Sequence, residues 1–215
     1  KSTLASMGVY IFTAEKLYKY LEEDENDPES SKDFGKNVLP AMLNAGERMF
    51  AYKFEGYWKD VGTISSLWEA NMDLLDEQPA FDVADASWKI HSRNPLAPPE
   101  YLGEKADVKN SMIALGCEIY GSVENSVLSS NVVIEEGAVV KDSVIMSGTR
   151  VRSGATVNYS IIDEDVVVGE KAVIGEDKTI AKGIAVLGRN ICVGAGASVA
   201  AGNIVDKDIK EGEEA

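Results

Sequence analysis

The segment "VVIEEGAVVKDSVIMSGTRVRSGATV", residues 132–157, decides the fold because its aliphatic residues recur every six positions. The period extends on both sides, slips by one residue after Val157, slips back after Val186 and ends at Val205. A sandwich of alternating strands would show a period of two and irregular turns instead. The aliphatic positions are Val127, Val133, Val139, Ile145, Val151, Val157, Ile162, Val168, Ile174, Ile180, Val186, Val193, Val199 and Val205.

A small side chain follows many of these aliphatic residues four positions later. Together the two features predict a parallel β-helix in which each hexapeptide makes one short side of a triangular coil. The aliphatic residue would point into the prism, and the small residue would fit at the corner. About 100 residues at three hexapeptides per coil predict roughly five coils, each stabilised by its neighbours. The small residues are Gly137, Ser143, Thr149, Ala155, Ala172 and Ala197.

Residues 1–78 show a different pattern, in which strand-like and helix-like stretches alternate. "MGVYIF" and "MFAYKFE" read as strands, and Thr13 is a predicted N-cap for "AEKLYKYLEE". Asp33 is a predicted cap for "FGKNVLPAMLNAG", in which Pro40 must kink the helix or begin a second one. The alternation is typical of an α/β layer, but it has too few elements for a complete doubly wound sheet. This half therefore looks like the end of a larger domain.

A third predicted helix leads towards the repeats. Thr63 can cap a helix in which Ile64, Leu67, Trp68, Asn71, Leu74 and Leu75 follow helical spacing, and Pro79 ends it. Residues 79–107 have little periodicity and read as an extended connector. The predicted organisation is therefore 1–78, 79–107 and a β-helix domain at 108–215.

The composition excludes several classes of function. The net charge of −15, from 36 acidic against 21 basic residues, argues against a nucleic-acid partner. No apolar run is long enough to span a bilayer and the N-terminus does not resemble a signal peptide, so we expect a cytoplasmic protein without a membrane partner. Cys117 and Cys192 are far apart and outside any metal-binding spacing, so we expect two buried, reduced thiols. His91 reads as an ordinary loop residue.

One short stretch, "GYWKDVGTI" at residues 56–64, raises a question of function. Asp60 lies before Val-Gly, and a turn explains an aspartate at this position without any chemistry, because Asp bonds its own backbone and Gly supplies positive φ. Taken alone, local chemistry favours the turn.

The larger context resembles a known family. "LASMGVYIF", "SSKDFGKNVLPAML", "FEGYWKDVGTISSLWEANMDLL" and the hexapeptide tail resemble, in this order, the C-terminal portion of bacterial glucose-1-phosphate adenylyltransferase, also called ADP-glucose pyrophosphorylase. The resemblance implies the end of a Rossmann-like nucleotidyltransferase domain followed by a left-handed parallel β-helix. It also implies an enzyme that makes ADP-glucose and pyrophosphate from ATP and glucose 1-phosphate for glycogen synthesis.

The resemblance assigns roles to a few residues. Asp60 matches the family's metal-binding acid, a catalytic ligand of Mg²⁺ that works with a second Asp from the N-terminal half. Ser6 matches a contact to glucose 1-phosphate. Trp58 and Tyr57 could line the sugar side of the pocket, although aromatic residues beside a strand more often belong to a core. Lys59 could hold phosphate or could equally be a solvated neighbour.

The family's N-terminal half carries the glycine-rich nucleotide loop, the second acid and a Glu-Lys pair, and this sequence contains none of them. We therefore expect the chain alone not to bind ATP or turn over. The resemblance implies a homotetramer, or a heterotetramer with a paralogous subunit, under allosteric control. Arg150, Arg152 and Arg189 could contact an effector or could be solubilising charges.

Two alternatives remain open from the sequence. One is a non-catalytic regulatory or scaffold subunit of the same family. The other is a hexapeptide acyltransferase, which shares the β-helix but usually places a catalytic histidine on it. The predicted prism from Asp107 onward contains no histidine.

Overall fold

The computed structural model describes residues 4–92 and 95–215. These residues form two compact units, the first ending at Gly56 and the second beginning at Tyr57. This division differs from the predicted organisation into 1–78, 79–107 and 108–215, which stays a prediction.

The first unit contains two helices joined by a π-helical turn. Helix α1 spans Ala14–Asn26, the turn spans Phe34–Val38, and helix α2 spans Leu39–Asn44. Asp33 caps the turn as predicted, because its side chain accepts a hydrogen bond from the backbone N–H of Lys36 at 2.8 Å. Thr13 is the N-cap residue of α1, but its side chain makes no capping bond. Pro40 lies in the first turn of α2, so of the two predicted alternatives it begins a second helix.

The two predicted strands of this unit do not form. "MGVYIF" and "MFAYKFE" have no strand assignment, and Ile11 and Tyr52 are 99% and 88% exposed. A strand needs a neighbour that takes up its backbone hydrogen bonds. None of the residues described in this unit supplies such a ladder, so alternating apolar residues alone do not make a sheet here.

The second unit begins with the "GYWKDVGT" segment and helix α3, Ile64–Met72, which a 3₁₀ turn extends over Asp73–Leu75. Thr63 caps α3 as predicted. Its side chain accepts from the N–H of Ser66 at 3.1 Å, and the Ser66 hydroxyl accepts from the N–H of Thr63 at 3.1 Å. This reciprocal capping box explains why the helix begins at this point.

Eighteen short strands follow. In chain order, β1 to β18 are Tyr101–Leu102, Asp107–Lys109, Met112–Ile113, Glu118–Ile119, Ser122–Glu124, Val127–Leu128, Val133–Ile134, Val139–Lys141, Val144–Ile145, Arg150–Val151, Thr156–Asn158, Ser160–Ile162, Val167–Val168, Val173–Ile174, Ala185–Leu187, Cys192–Val193, Ser198–Val199 and Ile204–Val205. Strand β1 lies inside the segment predicted as a connector.

The strands form three parallel sheets of six, and each sheet takes every third strand. The first sheet contains β1, β4, β7, β10, β13 and β16; the second contains β2, β5, β8, β11, β14 and β17; the third contains β3, β6, β9, β12, β15 and β18. This is the predicted parallel β-helix, with six coils rather than five. The estimate was low because the coils are shorter than three full hexapeptides: β6 pairs Leu128 with Ile145 of β9, a step of 17 residues. The left-handed sense of the coil stays a prediction.

The aliphatic residues that face the interior of the prism are in part different from those predicted to do so. Ile134 and Val140 are fully buried in the prism, whereas their predicted neighbours Val133 and Val139 are not. Ile180, predicted to point inward, is 73% exposed. The shortened coils move the six-residue register by one position in each turn, and a run of Val-Val and Val-Ile pairs does not show which member faces inward.

A ladder of serines occupies one corner of the prism. Ser126, Ser143 and Ser160 are fully buried, and each hydroxyl donates to the carbonyl two residues earlier. The N–H of Ser143 donates to the Ser126 hydroxyl at 3.0 Å, and the N–H of Ser160 donates to the Ser143 hydroxyl at 3.2 Å. Ser143, the one member of this ladder that was predicted as a small corner residue, therefore also satisfies the backbone where the chain turns.

Candidate functional site

The segment before α3 is tied to the helix by a compact polar cluster. Lys59 lies 3.1 Å from both Glu69 and Asp73, and the Tyr57 hydroxyl donates to Asp73 at 2.8 Å. Hydrogen bonds from Tyr57 and Lys59 hold the pKa of Asp73 below its usual value, and the bond to Asp73 raises the pKa of Lys59. Burial is the main reason that the pKa of Tyr57 is raised. Lys59 is thus engaged by two acids rather than free in solvent.

Glu69 and Asp73 could have been found from the sequence as partners of this segment. They are four residues apart, so they fall on one face of the predicted helix. What the sequence does not show is that the chain before Thr63 folds back along that face.

Asp60 lies on the surface at the end of this segment. Its Oδ1 accepts a hydrogen bond from the N–H of Gly62 at 3.0 Å, which makes the backbone-bonded turn that local chemistry favoured. Gly62 is not among the glycines with positive φ, so the expectation that it supplies a positive φ was wrong. No hydrogen bond to Oδ2 is found within residues 4–92 and 95–215. The hydrogen bond from Gly62 therefore holds Oδ1 of the carboxylate against the local backbone, and Oδ2 faces solvent.

The two aromatic residues of the segment differ in their surroundings. Trp58 is 48% exposed, whereas Tyr57 stacks on Phe81 with ring centroids 5.0 Å apart. Trp58 therefore has the freer surface, and Tyr57 is occupied by Phe81 and Asp73.

Ser6 belongs to the first compact unit, within an exposed stretch before α1. Its hydroxyl lies 2.8 Å from the hydroxyl of Tyr10 and accepts from the N–H of Gly8 at 3.2 Å. The side chain thus forms a small turn of its own, with a hydroxyl pair at the surface.

The acids do not form a metal site by themselves. Within the described ranges, no group of three or more His, Cys, Asp and Glu side chains could hold a metal ion. Mg²⁺ takes one or two carboxylates together with substrate oxygens and water, so Asp60 fits the role of a single ligand. The rest of such a site would have to come from elsewhere.

Other predicted residues have structural partners. Arg150 pairs with Glu135 at 3.1 Å and Arg189 pairs with Glu164, while Arg152 is exposed. Cys117 is buried as expected and burial raises its pKa, but Cys192 is exposed because it lies on the outer side of its strand. The expectation of two buried thiols was wrong for Cys192.

Two family models match separate parts of this chain. A family model described as "Nucleotidyl transferase" matches residues 1–77, and one described as "GlmU-like, C-terminal hexapeptide" matches residues 99–184. The first match contains both Ser6 and Asp60.

The glucose-1-phosphate adenylyltransferase of Clostridium perfringens (strain SM101) is 56% identical over 134 residues, which are 62% of this chain and 34% of that protein. This chain is a homologue of glucose-1-phosphate adenylyltransferases. The enzymes of the same name from Desulforamulus reducens and Acetivibrio thermocellus are 58% and 54% identical over 134 residues, again 62% of this chain and 34% and 32% of theirs. The match thus spans about a third of the length of these relatives.

A solved structure of a GDP-perosamine N-acetyl transferase from Caulobacter crescentus matches 55% of this chain and 53% of its own, at 20% identity and a TM-score of 0.38. At that score the likeness carries no argument about function. A helix long and apolar enough to cross a membrane is not found among the described residues.

Proposed function

We propose that this chain is part of a glucose-1-phosphate adenylyltransferase, an enzyme that makes ADP-glucose and pyrophosphate from ATP and glucose 1-phosphate for glycogen synthesis. The observation that carries the proposal is the 56% identity to an enzyme of that name. The nucleotidyl transferase match over residues 1–77 supports it independently.

In this reaction a phosphate oxygen of glucose 1-phosphate attacks the α-phosphorus of ATP, and pyrophosphate leaves. Phosphoryl and nucleotidyl transfers depend on positioning and on neutralising charge rather than on covalent chemistry by the protein. A bound Mg²⁺ supplies that neutralisation and a template for the phosphates. We propose Asp60 as one of its carboxylate ligands, held by the N–H of Gly62 in a fixed orientation.

Two further residues have proposed roles towards the sugar phosphate. The Ser6 hydroxyl can hydrogen-bond a phosphate or sugar oxygen, and its partner Tyr10 orients it at 2.8 Å. Trp58 presents an exposed indole two residues before Asp60, a surface suited to a sugar face. Lys59 is less suited to hold phosphate because Glu69 and Asp73 already neutralise it.

We also propose a tetramer, of one subunit type or two, and a cytoplasmic enzyme under allosteric control. The exposed edges of the terminal coils are compatible with such an assembly.

Neither of the two alternative functions, a scaffold subunit or an acyltransferase, is favoured by a specific observation. The relatives at 54–58% identity bear the adenylyltransferase name, and the prism contains no histidine.

The test uses the protein encoded by the complete reading frame that contains this sequence. Asp60→Asn should lower kcat by at least about a hundredfold, because it removes a ligand charge where electrostatic stabilisation is largest. Asp82→Asn is the matched control, since Asp82 is also exposed and accepts from the N–H two residues on, Ala84, at 2.8 Å. Both variants should unfold at the wild-type temperature. Near-normal turnover in Asp60→Asn would reject the proposed role of Asp60, and a wild-type protein without adenylyl transfer would reject the function.

A further inference from the structure

Helix α3 docks on the outside of the prism through an apolar cluster around Trp68, against which Leu67 and Met72 of the same helix also pack. Trp68 is 6% exposed and packs with Val144, Ile161 and Ile184 on the outward side of the third sheet. The prism interior is a separate cluster that does not include Trp68. The prism therefore closes its own core without α3, and the burial of Trp68 serves to dock the helix.

The docking is also polar and directional. The indole N–H of Trp68 donates to the backbone carbonyl of Asp142 at 2.7 Å, and the rings of Trp68 and Tyr159 form a T-shaped pair with centroids 5.0 Å apart and an interplanar angle of 84°. Asp142 and Tyr159 occupy equivalent corner positions in neighbouring coils, both with positive φ. An indole held both by its nitrogen and by an aromatic pair has a defined orientation, which favours one rotation of α3 about its own axis.

An enlarged coil adds a third contact. The third sheet pairs Ile162 with Leu187, a step of 25 residues where the preceding step to Ile162 from Ile145 is 17. The extra residues form a loop at 175–182, from which the Lys178 ammonium lies 4.5 Å from the centroid of the Trp68 ring. Asp177 anchors this loop to Lys141 at 3.6 Å and accepts from the Thr179 hydroxyl at 2.6 Å.

The contacts that begin at the loop 175–182 and pass through Trp68 and α3 end at the Asp60 turn. Glu69 and Asp73 of the helical segment hold Lys59, the residue next to Asp60, and Thr63 begins the helix three residues later. One nine-residue helix thus connects the enlarged coil with the segment that carries the proposed metal ligand. A continuous path of contacts therefore runs from Lys178 and Trp68 along α3 to Lys59, the residue next to Asp60.

We propose that Trp68 and Lys178 are positioning residues for the Asp60 turn, and that the enlarged coil at 175–182 is the part of the prism that sets its placement. An effect on catalysis through Asp60 rests on the proposed function. The coupling of the Asp60 turn to Trp68 and Lys178 through α3 does not.

Hydrogen exchange of the 215-residue chain tests the coupling directly. In Trp68→Phe and in Lys178→Ala we expect the amides of residues 57–75 to exchange about five to ten times faster, since each variant removes one contact of ordinary strength. Lys178→Arg keeps a cation over the ring and should restore slow exchange. Lys182→Ala is the matched control, an exposed lysine in the same loop that makes no contact with Trp68.

Amides of the core strands β10 and β13, which belong to the first sheet and not to the cluster around Trp68, report whether the prism itself is intact. They should be unchanged in all four variants, because Trp68 is outside the interior cluster. Unchanged exchange of residues 57–75 in both Trp68→Phe and Lys178→Ala would overturn the proposal. Equal acceleration in Lys182→Ala would also overturn it, since the effect would then belong to the loop as a whole.

Activity in the complete protein separates this proposal from the proposed function. If the wild type transfers adenylyl groups, Lys178→Ala should lower kcat several-fold at an unchanged unfolding temperature, and Lys178→Arg should recover it. A purely structural role would lower the unfolding temperature and leave kcat of the folded fraction unchanged, which would contradict positioning. If the wild type is inactive, the proposed function fails while the exchange result still decides the coupling.

Discussion

Replacing Ser143 by alanine isolates the contribution of the serine ladder. Ser143 is fully buried; its hydroxyl donates to the carbonyl of Lys141 at 2.7 Å and accepts from the N–H of Ser160 at 3.2 Å. In the variant the Lys141 carbonyl keeps a partner, the N–H of Tyr159 at 3.0 Å. The Ser160 N–H loses its acceptor inside the prism, so the variant leaves one orphaned donor.

The magnitude follows from that orphaned donor. A buried N–H without a partner costs about 1–3 kcal/mol, and the lost hydrogen bond of the hydroxyl itself contributes about 1 kcal/mol. We expect the free energy of unfolding to fall by about 2–4 kcal/mol. For a unit of this size each kcal/mol corresponds to about 2–4 °C, so the melting temperature should fall by about 4–16 °C.

Calorimetric or circular-dichroism melting of the purified variant measures this loss. Ser153→Ala is the control, because Ser153 is exposed and its hydroxyl bonds only the carboxylate of Glu135, at 3.2 Å. Its loss should stay within about 0.5 kcal/mol. A melting temperature for Ser143→Ala no lower than that of Ser153→Ala would mean that the ladder does not stabilise the corner, and the reasoning would be refuted.

The two cysteines, Asp73 and Gly175 each have surroundings that predict a measurable outcome. A thiol reagent should modify Cys192 within seconds and Cys117 only on unfolding, because Cys117 is buried with a raised pKa; two equally fast thiols would contradict this. Because the pKa of Asp73 is lowered in the folded state, its stabilising effect is complete above the ordinary Asp pKa of about 3.9 and is lost as the pH falls through the lower folded value. In Asp73→Asn the free energy of unfolding should therefore fall less steeply as the pH is lowered. An unchanged fall would mean that other carboxylates cause it. Gly175→Ala should destabilise the prism strongly, because φ is +69° and a Cβ would lie 2.1 Å from the carbonyl oxygen of Asn158; wild-type melting would show that the coil can shift to admit it.

The predictions from sequence were most accurate where structure depends on neighbours along the chain. The caps at Asp33 and Thr63 were predicted correctly, and one of the two alternatives left open at Pro40, a second helix, is what forms, because each feature is decided within one turn of helix. The predicted strands around Ile11 and Tyr52 failed, because a strand is completed by a partner that an alternating pattern cannot specify.

The candidate site shows the same division. Local chemistry correctly predicted that Asp60 bonds its own backbone, with the N–H of Gly62 as the donor, but it wrongly predicted a positive φ at the glycine. The resemblance supplied the proposed role of that carboxylate, which the turn alone does not indicate. The ion pairs of Lys59 were not predicted, since they require the motif to lie along the face of α3 that carries Glu69 and Asp73.

By itself, the sequence determined that this protein contains a parallel prism of hexapeptide coils, because a six-residue period repeated over many turns is typical of such coils and differs from the period of two in a sandwich. The tertiary structure alone decided which residue of each aliphatic pair faces inward, how many coils form, and where α3 docks. The contact between Trp68 and Asp142 joins residues 74 positions apart, and Lys178 of the enlarged coil lies over the same indole ring. Such a contact leaves no periodic or local signal in the sequence, because the corner carbonyl that Trp68 binds has its position only in the folded β-helix.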